Sequence, residues 1–408
     1  MPILRLDNPV QHYDWGTVDA IPTLLGAGNP KQCPWAELWM GAHRRSPSIA
    51  EWSGGRRPLD EIIAGDPETM LGGPVSRRFG PVLPFLFKVL SAARPLSIQA
   101  HPSLRKAASG FERENLKSVP LDSPERNYRD PNHKPELLVA LGGFEGLCGF
   151  RPIPEILRIL RLLTPREYGR IAGRLELSPG KAELALLFYR FATYPATLRR
   201  ELLHFMERRV HRVLEQETDE QLRRALEWVL ELKALYPSDV GVLAPLILNL
   251  FRLAPGQAVY IGPGQIHAYL RGTGIEVMAN SDNVLRAALT SKNVDIPEFL
   301  SVLSFESGGL HIFGPEPAGE GLEEYRSPAE EFRLDRIQLT PGMKVGRRAP
   351  GPEILLCLEG RALAANRTGE NRGGITALSR GHSVFIPADI DRYELSGECL
   401  LARAGVSA

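Results

Sequence analysis

The 408-residue chain is short of several things, and each shortage closes a class of answers. It has four cysteines, Cys33, Cys148, Cys357 and Cys399, and no two are close enough for a thiol metal motif or a redox pair. Four in so long a chain make no disulfide framework either. Charge of one sign is not in excess: 49 basic and 48 acidic residues leave a net charge of +1. That balance argues against a nucleic-acid or membrane-surface protein built on bulk charge, but it allows a local phosphate site. Long apolar runs are missing; the longest, residues 243–251, is about half of what a membrane span needs. Asp7, Gln11 and His12 stand where a signal peptide is apolar. Lysine is scarce, nine among the 49 basic residues, and that bias carries no functional reading. The expectation is a soluble, reduced, cytoplasmic protein with no nucleic-acid or membrane partner. Its apolar content of 43% is ordinary for a globular chain and sufficient for a large core. The length corresponds to two or three domains of about 150 residues each.

Three compositions follow one another. The first 150 residues are rich in Gly, Pro and short apolar runs such as 84–90, 97–100 and 137–141, which read as strands or short buried segments. Residues 103–116 carry Leu104, Ala107, Ala108 and Phe111 at helical spacing. From residue 154 to 235 the pattern is helical, with stripes such as Ile156, Ile159, Leu160 and Leu163, and a Thr218-to-Gln221 pair resembling a capping box. The plain role of that block is to pack and cover. Strands return after Phe251, at 258–261 and 275–279, with strong turns at Pro255–Gly256 and Gly262–Pro263–Gly264. Residues 314–321 read as a linker. Beyond them 353–358, 383–387 and 399–403 are strand-like, as in a sandwich or small barrel.

Four stretches carry chemistry. Gln99 and His101 are two apart, on one face of any strand, and an amide oxygen with a neutral imidazole suits a borderline cation. Taken alone, such a pair is more often a polar surface patch. The run Asp130, Pro131, Asn132, His133, Lys134, Pro135, Glu136 packs acid, imidazole and amine between two prolines that force extended backbone. It leads into an apolar run, which places Glu136 at a strand start. Tyr260 to Tyr269 reads as strand, glycine-proline turn and returning strand, a hairpin presenting His267. Glu276 precedes the polar tract Asn280 to Arg286, and Arg286 with Lys292 has the fork and the point charge that grip an anion. Each stretch has a bland reading as a solvated turn or salt-bridge cluster. Together, two His, one Glu and one Gln form an all-N/O set suited to catalytic zinc.

These stretches, with Ala36 to Gly41, Pro84 to Lys88 and Gly146 to Arg151, resemble the signature segments of the type I phosphomannose isomerase family. The resemblance runs in order over residues 10–305 and is weaker in the helical block and the last β segment. It implies a mainly β protein with a helical domain: a cupin or jelly-roll catalytic domain (1–150 with 251–313), an inserted helical bundle (151–250) and a C-terminal β-domain (314–408). It implies one zinc per chain on Gln99, His101, Glu136 and His267. It implies a small phosphorylated sugar as partner, with mannose 6-phosphate and fructose 6-phosphate interconverted through an enediolate. Arg286 maps onto the family's catalytic arginine. Ser97, Lys134, Tyr269, Glu276, Asp282 and Lys292 map onto its substrate pocket, Ser97 and Lys292 being the candidates for the phosphate. His133, Lys134, Glu276 and Asp282 stay open as the general base. Asn280 departs from the small residue usual there. A differently specific or non-catalytic cupin sugar-phosphate protein is the alternative. The oligomeric state is left open, and a monomer is compatible.

Overall fold

Two large antiparallel sheets carry the chain, one of ten strands and one of eleven among the described residues. The protein is represented by a computed structural model, which describes residues 1–52, 54–164, 168–368 and 374–406.

The ten-stranded sheet is organised by one strand, His267–Ala279. Its second half pairs with Phe85–Ala92 on one side and with Glu136–Ala140 on the other. Its first half pairs instead with Phe144–Phe150, and His267 also faces Gln99 on Ile98–Ala100. The change of partners occurs at Gly272, whose φ is +133° and where a Cβ would lie 2.7 Å from the Gly143 carbonyl oxygen. Only glycine accepts both conditions. The sheet therefore folds over on itself, as a jelly roll does, and encloses its inner faces. Phe85–Ala92 is buried at every position, so a single charge in it, Lys88, has to find partners inside.

Several sequence expectations need correction. Ala258–Ile261 does not form a hairpin with the strand of His267; it pairs with Glu136–Ala140, because the turn at 262–265 leads the chain across the fold rather than back beside itself. The 275–279 strand is the end of a much longer one. Residues 314–321 are no linker: Glu316–Gly319 pairs with Leu322–Tyr325. The last helix of the helical block is capped by Asp219, which accepts from the Leu222 amide, and not by Thr218. Leu104–Leu116 is a helix capped by the Ser103 hydroxyl.

The helices between Ile153–Leu163 and Glu220–Leu235 bury their apolar stripes in one core with Ile98, Leu285 and Ala288. They thus back the strands that carry Gln99 and Arg286. A polar clamp holds the same layer: Arg224 donates to both oxygens of Glu145, at 2.8 and 2.7 Å, and lies with Arg271 against the Trp228 ring. The eleven-stranded sheet holds the C-terminal strands and also recruits the start of the chain, since Leu4–Asp7 pairs with Ser383–Ile386 and with Ile49–Trp52.

Candidate metal and substrate site

Register decides which side chains meet. Cys148, His267, Gln99 and Arg286 are directly paired across four neighbouring strands, so their side chains leave the sheet on one face. Trp39, Lys88, Glu276 and Leu138 form a second such row. His101 follows Ile98–Ala100 directly, and Glu136 begins its strand as its proline neighbour predicts.

Among the described residues His101, Glu136 and His267 are the group able to hold a metal, their ligand atoms lying within 4.8 Å of one another. All three are buried. Each histidine Nε2 is 3.3 Å from one oxygen of Glu136. The other ring nitrogens are fixed by carbonyls: His101 Nδ1 donates to Asn283 O at 2.7 Å and His267 Nδ1 to Gln265 O at 3.0 Å. A carbonyl only accepts, so Nδ1 carries the proton, and in the neutral ring Nε2 is a bare lone pair. Burial brings the pKa of His101 down to about 4 although Glu136 opposes it, so this ring is neutral near pH 7. Burial is the largest influence on Glu136 and opposes its charge, but Lys134, 3.1 Å away, together with His101 and His267 outweighs it and holds this carboxyl well below its usual range. The result is a lone pair facing a carboxylate, acceptor against acceptor. His101 Nε2 and Glu136 Oε2 are buried without a hydrogen-bond partner. Buried groups left so call for an explanation, and a cation among them supplies one. Gln99 Nε2 lies 3.2 Å from His267 Nε2; the same amide turned over presents its oxygen there.

The other expected residues divide into engaged and free. Glu276 accepts from Lys88 at 3.0 Å and from the Tyr269 hydroxyl at 2.8 Å, so Tyr269 and Glu276 occupy each other. Burial raises the Glu276 carboxyl, against the pull of Lys88. His133 is 2.6 Å from Glu331, which comes just before the strand Arg333–Leu339, so this candidate base is engaged by a carboxylate from the C-terminal part of the chain. Asp282 sits between His43 and Arg45, at 3.4 Å from each, and despite burial they hold it below the usual carboxylate range. Among the described residues no carboxylate pairs with Arg286 or Lys292, and no hydrogen bond occupies the Ser97 hydroxyl. Burial and then Arg129 lower Arg286; burial, Arg286 and Arg129 lower Lys292. Three cations are thus gathered with no ion-paired carboxylate among the described residues, Asp14 acting on Lys292 only from a distance.

With this geometry in place the chain can be compared with known proteins. A model of the family described as phosphomannose isomerase type I, catalytic domain, matches residues 3–153. The mannose-6-phosphate isomerase of Salmonella typhimurium is 39% identical over 410 residues, covering 98% of each chain. That of Escherichia coli is 37% identical over 401 residues with the same coverage. The chain belongs to the type I phosphomannose isomerase family. A zinc-bound crystal structure of mannose 6-phosphate isomerase superposes with a TM-score of 0.89 at 35% identity, covering 100% of both chains. So does the Salmonella typhimurium enzyme bound to fructose 6-phosphate and zinc, also at 0.89 and 35%. The cupin-type fold expected from the sequence is that of this isomerase family.

Some residues of the site were not singled out from the sequence. Lys88 was quoted only inside a motif, yet a lone lysine in the apolar stretch FLFKVL is itself a signal, since a buried ammonium needs partners. Glu37 supplies one at 3.6 Å, held by the Trp39 indole. Arg45, His43, Arg129 and Asn283 carry no such signal, because exposed arginines and loop asparagines are common.

Proposed function

We propose that the protein is a zinc-dependent isomerase of mannose 6-phosphate and fructose 6-phosphate, with His101, Glu136, His267 and Gln99 holding the metal. The observation that carries this reading is the buried lone pair of His101 aimed at the Glu136 carboxylate, an arrangement that lacks only a cation. The cationic group of Arg286, Lys292 and Arg129 supports a phosphorylated substrate, and the substrate and metal named for the relatives agree with both. The catalytic unit is drawn from residues 1–150 with 251–313, except that Leu4–Asp7 and Ile49–Trp52 join the sheet formed by 314–408, and the helical insert 151–250 backs the unit.

Zinc bound there supplies a Lewis acid that favours negative charge on the sugar oxygens during the proton shift. The chain's own residues do the rest. Arg286 and Lys292 hold the phosphate and Ser97 adds a hydroxyl, so binding energy far from the reacting carbons orients them. The proton beside the carbonyl needs a positioned base. Lys134 is the first candidate, because its amine lies beside the cluster, 3.1 Å from Glu136, where it can take up the proton. Asp282, kept ionised by His43 and Arg45, faces the same region. Glu276 and Lys88 keep the adjoining interior polar.

The test is a coupled assay of mannose 6-phosphate conversion on metal-analysed protein. Activity that falls with chelator and returns with zinc supports the reading; zinc-loaded folded protein without activity overturns it and leaves the alternative of a sugar-phosphate binder. Within the reading, Lys134→Met lowers kcat by at least about a hundredfold with zinc retained. Arg286→Ala and Lys292→Ala each raise KM by about tenfold.

A further inference from the structure

Asn283 lies in the loop after the strand of His267 and is fully buried. Its side chain uses every polar position it has. Nδ2 donates to Asp130 O at 2.7 Å and Asn132 O at 2.8 Å. Oδ1 accepts from the Arg129 amide at 2.7 Å and the Asp130 amide at 3.4 Å. Its main-chain carbonyl accepts from His101 Nδ1 at 2.7 Å. One residue therefore ties three separate stretches: the loop that leads into Lys134 and Glu136, the histidine after Ile98–Ala100, and the strand Leu285–Ala288 that carries Arg286.

We propose that Asn283 is the positioning residue of the metal site. Its side chain locks the 129–132 loop, and through that lock it holds its own carbonyl where His101 must keep the proton on Nδ1. The His101 lone pair is then presented at Nε2, toward Glu136. This inference rests on the reading that His101, Glu136 and His267 bind a divalent cation. Partners that fix a ligand's tautomer typically change metal affinity by about 10- to 100-fold when removed.

The variant that separates hydrogen bonding from packing is Asn283→Asp, which keeps the shape and loses both donors. Asp130→Asn loosens the same lock from its other side, because the Asp130 carboxylate accepts from Ser281 Oγ at 2.8 Å and the Asp282 amide at 2.7 Å. Ser48→Ala is the control: that buried hydroxyl ties Gly41 to Asn8, a comparable loop lock with no contact to a ligand. Zinc affinity is measured by competition with a chromophoric chelator, beside the thermal midpoint of each metal-free protein. The tautomer of His101 is read from imidazole ¹⁵N shifts of the metal-free chain. The expected result is a zinc Kd at least about tenfold weaker for Asn283→Asp, a mixed His101 tautomer, and an unchanged Kd for Ser48→Ala at similar loss of midpoint. A folded Asn283→Asp with Kd within twofold of wild type overturns the proposal. If Asn283→Asp does not fold, Asp130→Asn decides it by the same two readouts. A wild-type protein that binds no zinc defeats the metal reading itself, a result distinct from an unchanged Kd in the variant.

Discussion

Both sheets bury charge, and the cluster around Glu136 resolves it differently from the cluster around Arg403. In the C-terminal sheet Arg403 donates to Asp335 at 2.8 and 2.7 Å, the Tyr393 hydroxyl donates to Glu353 at 2.6 Å, and Arg333 also pairs with Glu353. Every one of these contacts sets a donor against an acceptor. What is left over on those strands themselves is donor, the Nε groups of Arg333 and Arg347, while Glu331 Oε2 and Asp60 Oδ1, outside the strands, are single acceptors that belong to no ligand cluster among the described residues. Around Glu136 the leftover atoms are acceptors, His101 Nε2 and Glu136 Oε2, and each carboxylate oxygen has a histidine Nε2 at 3.3 Å. The first arrangement closes without help and holds strands together. The second is complete only with a positive ion. A buried charge is thus no sign of function by itself; what tells the two apart is that the ligand atoms of His101, Glu136 and His267 converge on one point.

The comparison can be broken most sharply at Glu136. Glu136→Ala is expected to abolish zinc binding and lower turnover on the order of 100- to 1,000-fold or more, while the metal-free protein still unfolds cooperatively; metal analysis and the coupled assay read this. Chelation of the wild type tests the same asymmetry without mutation. With free zinc at a thousand times its Kd, metal removal costs about 4 kcal/mol of stability, seen in urea unfolding, and the loss is reversed by zinc. Arg403→Met is the mirror case, because it leaves Asp335 and Glu353 buried and underpaired. It should cost about 3–5 kcal/mol and leave zinc stoichiometry at the wild-type value. If Arg403→Met reduced zinc content as strongly as Glu136→Ala, the distinction between the two clusters would fall.

Two smaller effects concern the clamp between the helical layer and the catalytic sheet. Arg224→Ala removes the partner of Glu145 and a cation on Trp228, and should cost about 1–2 kcal/mol in denaturant midpoints. The last is a pH effect. Partial burial opposes the charge of Glu145, but Arg224 and Arg271 outweigh it and lower this carboxyl below its ordinary 4.5. A depressed carboxylate stabilises the fold above that ordinary value and loses its contribution as pH falls through the folded one. The difference in urea midpoint between wild type and Glu145→Gln should therefore be present at pH 6 and shrink below pH 4. A difference that grew in acid would contradict the assignment.

Much of the site was legible because its residue types are unusual where they stand. Glu136 before an apolar run, and the pair Gln99 and His101, are visible without any structure, and the Glu136 strand begins where Pro135 predicts. Other parts were not legible for equally physical reasons. The hairpin expected around His267 failed because turn residues specify a reversal and say nothing about which strand lies beside it. His133 looked as suitable a base as Lys134 until Glu331, far along the chain, was found to hold it. Asn283 read as one more polar loop residue, since its role depends on three stretches reaching it at once.

By itself the sequence determined the chemistry available to this protein: an N/O ligand set, cations without a matching acidic run, apolar strands around a helical block, and enough order among these motifs to resemble one family. These are properties of side chains and short spacings, which travel with the residues. The tertiary structure alone decided which lone pairs face each other, which nitrogen of His101 keeps its proton, and which of several carboxylates has two histidine nitrogens brought up to it. Those outcomes depend on strand register and on the bend at Gly272, where one strand changes partners. A register shift by one residue sends every side chain to the opposite face, so no local pattern could have settled them.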